Sequence, residues 1–389
     1  MRAGLVCLVA AYCLSQFFRA FLAVLSPVLM EELGATAGDL ARASGLWFAA
    51  FACMQLPVGW ALDTVGPRRT VAVLFTLGAV GGCVVFATAQ GPGAVTLAMA
   101  MIGLGCAPIL MATYFIFART FSAAIFGTLA GLTVGISSLG NLLSTAPLAL
   151  TIEAFGWRES LWAMATFTAL IALGCMVFMR DPVKPAGEAT GSFAELLRIR
   201  ALWPILVGMF ICYGPVAGIR GLWISPYVTE LHGATLAQVG TATLVMGLAM
   251  VAGNFIYGPI DRIVGSRKWG VVGGNLCVAA LCLWLFAVPP SGLALAMAIF
   301  AAIGFFGASF PAVISHGRSF LPPHLTGRGV TLLNLFGMGG AGVIQFASGP
   351  IHAQLSAQMG AQAAFGVLFA IFAAAILLGL AAYAFSREA

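Results

Sequence analysis

Charge is what this sequence lacks. Only 8% of its 389 residues are charged and 61% are hydrophobic, whereas a soluble domain carries roughly 25% charged residues. So few charges cannot cover a water-facing surface. Acid is scarcest: there are 12 Asp and Glu, and none falls in the middle of an apolar run. The four histidines (His232, His316, His324, His352) lie at the ends of such runs or in loops. No C-x-x-C spacing occurs. The nine cysteines all fall within apolar runs, where free thiols behave as small apolar residues and offer no disulfide framework. Catalysis at membrane depth needs a nucleophile–base pair or a carboxylate–histidine cluster. Neither is visible, so no catalytic residue, cofactor or enzyme activity is expected.

What the chain has instead is apolar length. A spanning helix needs about 20 apolar residues, and the chain accommodates a dozen. Breaks at charges and Gly/Pro clusters place spans 1 to 6 at about 4–32, 43–62, 70–90, 94–118, 122–150 and 158–179, and spans 7 to 12 at about 203–231, 240–260, 269–289, 293–316, 328–350 and 361–385. The opening run continues to about residue 30, too long for a cleaved signal peptide, and is read as span 1. The polar stretch "RDPVKPAGEATGSFAELLRIR" (180–200) is the one convincing linker. The expected organisation is an all-α membrane protein of 12 transmembrane helices. Two pseudo-symmetric six-helix bundles, 1–179 and 201–389, flank a cytoplasmic linker at 180–200.

The halves repeat. "SPVLMEELGAT" (26–36) aligns with "SPYVTELHGAT" (225–235), Gly59 and Gly66 with Gly258 and Gly265, Arg68 with Arg267, and "RTF" (119–121) with "RSF" (318–320). Each pair is offset by 199 residues. A constant offset across four spans points to duplication, and parallel repeats of this kind build transporters whose substrate site lies near the bilayer midplane. Of the 18 Lys and Arg, Arg42 and Arg158 fall at outer ends and Arg19 and Arg220 within spans. The rest gather on one side, which the positive-inside rule makes cytoplasmic, together with both termini. The net charge of +6 therefore follows topology and gives no sign of a nucleic-acid partner.

Between spans 2 and 3 lies "GWALDTVGPRR" (59–69). Gly59, Asp63, Gly66, Arg68 and Arg69 resemble the loop signature of the major facilitator superfamily, with Thr64 departing where a basic residue is usual. A looser copy, "GPIDRIVGSRK" (258–268), has Asp261 one place early and carries Arg262 and Gly265. "FGWR" (155–158) also recurs in that superfamily. The resemblance covers the whole chain and implies a secondary transporter working by rocking of two six-helix bundles. Physically, Gly59 and Gly66 allow a tight turn and close helix approach. Asp63 can pair with Arg68 or Arg119, or accept from a helix N-terminus, forming a charge latch that opens and closes the cytoplasmic side.

Two permanent charges stand inside spans: Arg19 in "LSQFFRAFLAV" and Arg220 in "YGPVAGIRGLW". Arginine is always protonated, and intramembrane charges face a cavity or a partner. Both are expected to line the central cavity and attract an anionic or strongly polar solute. Tyr12 and Gln16 share a face with Arg19, and Tyr213 precedes Arg220 by two turns. Asn141, Asn254 and Asn334 are further candidates for substrate contact. Glycines 127, 131 and 135 in span 5 are expected to form a packing seam. Met246 and Met250 share a helix face, and thioethers suit Cu(I). With the opening of span 1 and "AGNFIYGPIDR", this pair resembles the superfamily branch of bacterial copper importers and related riboflavin permeases. The His-x-x-x-Met pair of those importers is missing; Asn275, Cys277 and Cys282 stand on the corresponding helix. The expected cargo is a small polar or anionic organic solute, riboflavin-like among the options, carried across the bacterial inner membrane by a monomer in the lipid bilayer. Copper is the alternative cargo. A flux-free sensor or assembly partner is the alternative of another class, for which the short loops and the end at "FSREA" offer no signalling appendage.

Overall fold

The computed structural model describes residues 2–121, 123–182, 193–257, 260, 264–322 and 326–388. Among them the regular structure is entirely helical. Among the described residues ten helices are long and apolar enough to cross a membrane, and counting each of two bent pairs as one span gives twelve. The chain clusters into two compact units: Met1–Ala35 with Leu46–Thr190, and Thr36–Gly45 with Gly191–Ala389.

In the first unit, span 1 is two helices, Arg2–Phe17 and Phe21–Leu33, meeting at 46°. The cause is local. Phe17, Phe18 and Phe21 are all buried and pack edge to face, with Phe17–Phe18 centroids 5.6 Å and Phe18–Phe21 centroids 5.5 Å apart. Consecutive side chains of a regular helix diverge, since 3.6 residues make a turn. Residues 18–20 leave the helix, with a bond of 3.1 Å from the Ala20 N–H to the Phe17 carbonyl, and all three rings enter the interior. Span 5 (Ala123–Leu143 and Ala146–Phe155) bends by 41°. Spans 1 and 5 cross at Gly140, where a Cβ would overlap the Cys13 carbonyl. Nearby, Ser137 donates to the Val9 carbonyl at 3.3 Å. Gly135, expected in the seam, meets nothing among the described residues. The surroundings of Gly127 and Gly131 lie outside those residues.

Both sequence motifs in this unit tie span ends together. Gly156 turns at φ +91° and presents Trp157 and Arg158 to the end of span 1. There the Trp157 indole donates to Glu32 at 2.8 Å. Arg158 donates to Glu32 at 3.0 Å and to the Ala89 carbonyl at 2.9 Å, so spans 1, 3 and 6 share one clamp. At the other end, Gly66 adopts φ +97°, and a Cβ there would lie 2.9 Å from the Asp181 carboxylate. Asp181 accepts the Arg68 backbone N–H at 2.8 Å, placing an anion at the N-terminus of span 3 (Pro67–Ala87), where the helix dipole favours it. The Arg68 side chain donates to the Met176 carbonyl at 2.6 Å, near the end of span 6 (Trp157–Phe178). Gly59 is not a turn: it lies within the helix Gln55–Thr64 and meets nothing among the described residues. Its close-approach role is therefore withdrawn. The Asp63 side chain, and Asp261 and Arg262 entirely, lie outside the described residues.

The 199-residue register reaches the backbone. Gly34 and Gly233 close spans 1 and 7 in the left-handed region at φ +62° and +60°, and Gly265 at +77° answers Gly66. Thr36 and Asp39 exchange capping bonds at 3.0 and 3.1 Å, as Thr235 and Gln238 do at 2.9 and 3.4 Å. These capping boxes start spans 2 and 8 at Ala37 and Leu236, earlier than hydropathy suggested. In the second unit, span 11 runs from Thr326 to Met359 straight through Pro350. Beyond the proline, His352 is held between Trp223 and Phe365, with centroids 4.8 and 4.3 Å away, and the helix continues past its expected end. Span 11 crosses span 7 at Gly340, where a Cβ would overlap the Phe210 carbonyl. In the same unit Ser44 donates to Gln345.

The two crossings and the turn give direct tests. Gly140→Leu should abolish the monodisperse folded peak in size-exclusion chromatography, while Gly135→Leu should leave it, because only the first forces backbone apart. Gly66→Ala should cost about 1–3 kcal/mol from its disfavoured φ and the crowding of Asp181, seen as a lower midpoint in thermal unfolding.

Candidate functional site

Arg19 occupies the break in span 1. The interrupted helix lifts its side chain out of regular register and sets it among aromatic faces. Its guanidinium carbon lies 5.2 Å from the Phe51 centroid, 5.7 Å from Trp47 and 6.0 Å from Tyr12. Trp47 and Phe51 stack at 5.3 Å, 15° from parallel, one turn apart on span 2. Trp47 is fully buried, and span 4 lies against its backbone at Gly103. Among the described residues Arg19 has no hydrogen-bond acceptor and no carboxylate partner; its Nε is buried and unsatisfied. The residue as a whole is half-buried. Each cation–π contact contributes about 0.5–2 kcal/mol, and these lie near the 6 Å limit. Removing a charge from water costs several kcal/mol. The rings hold the cation in place without compensating it.

Arg220 sits in another irregular stretch, as Phe75–Val80 of span 3 also is. Residues Ile219–Trp223 form a π-helical turn directly after Pro215, whose missing N–H already weakens the ladder of the preceding helix Trp203–Gly218. Such turns gather at functional sites. Half-buried Arg220 donates to the Met250 thioether at 3.8 Å. Three residues on, Trp223 donates to Ser348 at 2.9 Å, fixing the turn against span 11.

The other sequence candidates divide. Tyr12 and Gln16 are buried on span 1, and Tyr12 belongs to the aromatic cage. Asn141 is half-buried on span 5. In the second unit the Tyr213 ring packs 4.4 Å from Phe310, Asn334 is half-buried, and Asn254 is exposed. Met246 is fully buried, and both Met246 and Met250 press on span 10, where a Cβ at Gly304 would lie 3.0 and 3.1 Å from their Cγ atoms. Asn275 is engaged within its unit, donating to the Val271 carbonyl at 2.9 Å and to Ser309 at 3.0 Å. Among the described residues no group of three His, Cys, Asp or Glu is placed to hold a metal ion. Sequence reasoning missed Trp47 and Phe51, although the i, i+4 aromatics of "WFAAF" on an otherwise small-residue span were a readable signal.

The chain matches the Major Facilitator Superfamily over residues 8–345. It is 25% identical to the probable sulfoacetate transporter of Cupriavidus necator, over 83% of this chain and 76% of that one. It is 23% identical to the hexuronate transporter of Escherichia coli, over 71% of each. Among solved structures, a D-xylose–proton symporter superposes with TM-score 0.76 at 15% identity, covering 99% of this chain and 98% of the other. A bacterial homologue of the human lysosomal transporter Spinster, inward-facing and occupied, gives 0.74 at 16%, covering 98% and 96%. These structural likenesses speak to the fold. With its apolar spans, its Gly66 turn and a match across most of its length, the chain belongs to the major facilitator superfamily and is a membrane transporter, not an enzyme.

Proposed function

We propose that the protein is a secondary transporter that carries a small organic anion across the bacterial inner membrane by alternating access, with Arg19 holding the charge of the cargo. The observation that carries this reading is the absence, among the described residues, of any acceptor for Arg19. A cation that cannot lose its proton and has no acid beside it is an anion site in waiting. Several relatives support the class of cargo, since their names specify sulfoacetate, galactonate, hexuronate and tartrate transport. Tyr12 and Gln16 complete the surroundings of Arg19. Asn141 is a further contact in the first unit, and Arg220, Tyr213, Asn254 and Asn334 are proposed contacts in the second. The bundle boundaries at 1–179 and 201–389, and the cytoplasmic position of both termini, remain part of the proposal. So does a gating role for Asp63, Gly66, Arg68, Arg69, Asp261, Arg262 and Gly265, to which the Asp181 contact with Arg68 is added.

Copper is the weaker reading. A guanidinium 3.8 Å from the Met250 sulfur engages a thioether lone pair and repels a cation placed there. The closeness of both methionines to Gly304 accounts for them as packing residues. Riboflavin-like cargo keeps its place as a control, because an aromatic cage accepts flat rings.

Purified protein in proteoliposomes should take up at least one of sulfoacetate, tartrate or a hexuronate, and neither copper nor riboflavin. Arg19→Gln should cut that uptake at least 100-fold, with an unchanged size-exclusion profile. Normal uptake by this variant would refute the assignment. Wild type, and Met246→Leu with Met250→Leu, should both leave copper accumulation at the empty-vesicle level; wild-type copper uptake that these changes abolish would restore the copper reading.

A further inference from the structure

We propose that the segment Ser386–Glu388 is a proton-operated strap. It fastens spans 9, 10 and 12 of the second unit while the His316 imidazole is neutral, and it lets go when that imidazole is protonated. Each unit carries a fastening at the end that the topology proposed above makes cytoplasmic. In the first, Arg68 donates to the Met176 carbonyl and Asp181 accepts the Arg68 N–H, so the start of span 3 is joined to the end of span 6. In the second, Lys268 at the start of span 9 (Arg267–Ala287) donates to the Ser386 carbonyl at 2.8 Å, just past span 12 (Ala361–Ala384). Ser266 caps span 9 by accepting the Trp269 N–H at 3.3 Å, and its hydroxyl donates to Glu388 at 2.8 Å. A basic side chain that reaches a carbonyl, and an acid that reaches a helix start, recur in both units.

The second fastening adds a titratable part. His316, near the end of span 10 in the helix Phe310–Arg318, is buried. Its Nε2 lies 2.9 Å from the Arg387 carbonyl, and its Nδ1 lies 2.7 Å from the Tyr383 hydroxyl. A carbonyl only accepts, so Nε2 carries the hydrogen. In a neutral imidazole Nδ1 is then an acceptor, and the Tyr383 hydroxyl donates to it. Tyr383 is itself buried. Protonation puts a hydrogen on Nδ1 as well. The phenol then has to turn and accept, which takes its own hydrogen off its partner inside the protein, where an unmade bond is costly. The new charge also faces Arg267 and Lys268 of span 9, with Glu388 of the strap as the opposing acid. Arg318 follows on the same helix, and Arg328 stands near the start of span 11, which packs alongside. Asp261, Arg262 and His324 lie outside the described residues. At the 199-residue offset from His316 the first unit has Phe117, which has no proton to gain. Acid therefore loosens one unit and leaves the other fastened.

Hydrogen–deuterium exchange of the full-length wild-type protein tests this without any cargo. It is run at about pH 8 and about pH 5.5, on either side of the ordinary imidazole range, with labelling times scaled for the intrinsic exchange rate. The Phe385 and Ser386 amides donate to the Ala382 and Tyr383 carbonyls at 3.2 and 2.9 Å. They should lose protection at least tenfold at the lower pH. The Arg68 amide, held by Asp181, is the internal control and should keep its protection at both. His316→Gln retains a donor and an acceptor but takes up no proton, so its protection over 385–388 should be the same at the two pH values. Equal protection of the wild-type segment at both pH values overturns the proposal. So does a loss that persists in His316→Gln, or one shared by the Arg68 amide, which marks general loosening of the fold. The wild-type comparison decides alone where the variant does not fold.

Discussion

A charge that cannot be neutralised is held inside an apolar span, and much of the first unit is arranged around it. Arg19 cannot shed its proton, so the fold has to position it, partly shield it and leave its acceptor to something else. The break at residues 18–20 sets it out of register. Trp47, Phe51 and Tyr12 surround it with faces that attract a cation weakly. Span 4 lies against the Trp47 backbone at Gly103, which anchors the stretch of span 2 that carries the cage. An acid in this position would make a stable internal pair; the cage keeps the arginine available.

The same logic extends outward through small residues and committed acids. Gly140 and Gly340 bring spans 1 and 5, and spans 7 and 11, to backbone contact. Among the described residues of the first unit, Glu32 and Asp181 lie at span ends and join helices to one another. Arg158 and Arg68 share those span ends with the acids, while Arg19 stays at the break inside span 1.

Much of this was legible in the sequence. Apolar run length fixed the spans because a bilayer demands length. The 199-residue offset located the turns because only glycine tolerates the φ found at Gly34, Gly66, Gly233 and Gly265. The arginines announced themselves by their cost. What was not legible depended on contacts between distant segments. Nothing local in "RDPVKP" says that Asp181 will cap span 3, and nothing in "MEEL" says that Glu32 will meet Arg158. The helix break and the π-turn were hidden because hydropathy does not register a change of helical pitch. Gly59 and Gly135 were over-read: both belong to glycine-rich patterns, yet both face open space among the described residues. A glycine pattern marks where close approach is permitted, and the neighbouring helix decides where it happens.

The central claim is that Arg19 has no acceptor among the described residues and receives one from the cargo. Nitrogen-15 NMR of arginine-labelled protein reads this at the atom concerned, with the Arg19 Nε–H resonance identified by its loss in Arg19→Lys. In anion-free protein the account predicts rapid loss of that proton to solvent and no hydrogen-bonded shift. Sulfoacetate or tartrate should move the resonance downfield and slow its exchange at least tenfold. A resonance that is already protected without anion, and unmoved when anion is added, would show that the protein itself satisfies Arg19 and would contradict the account.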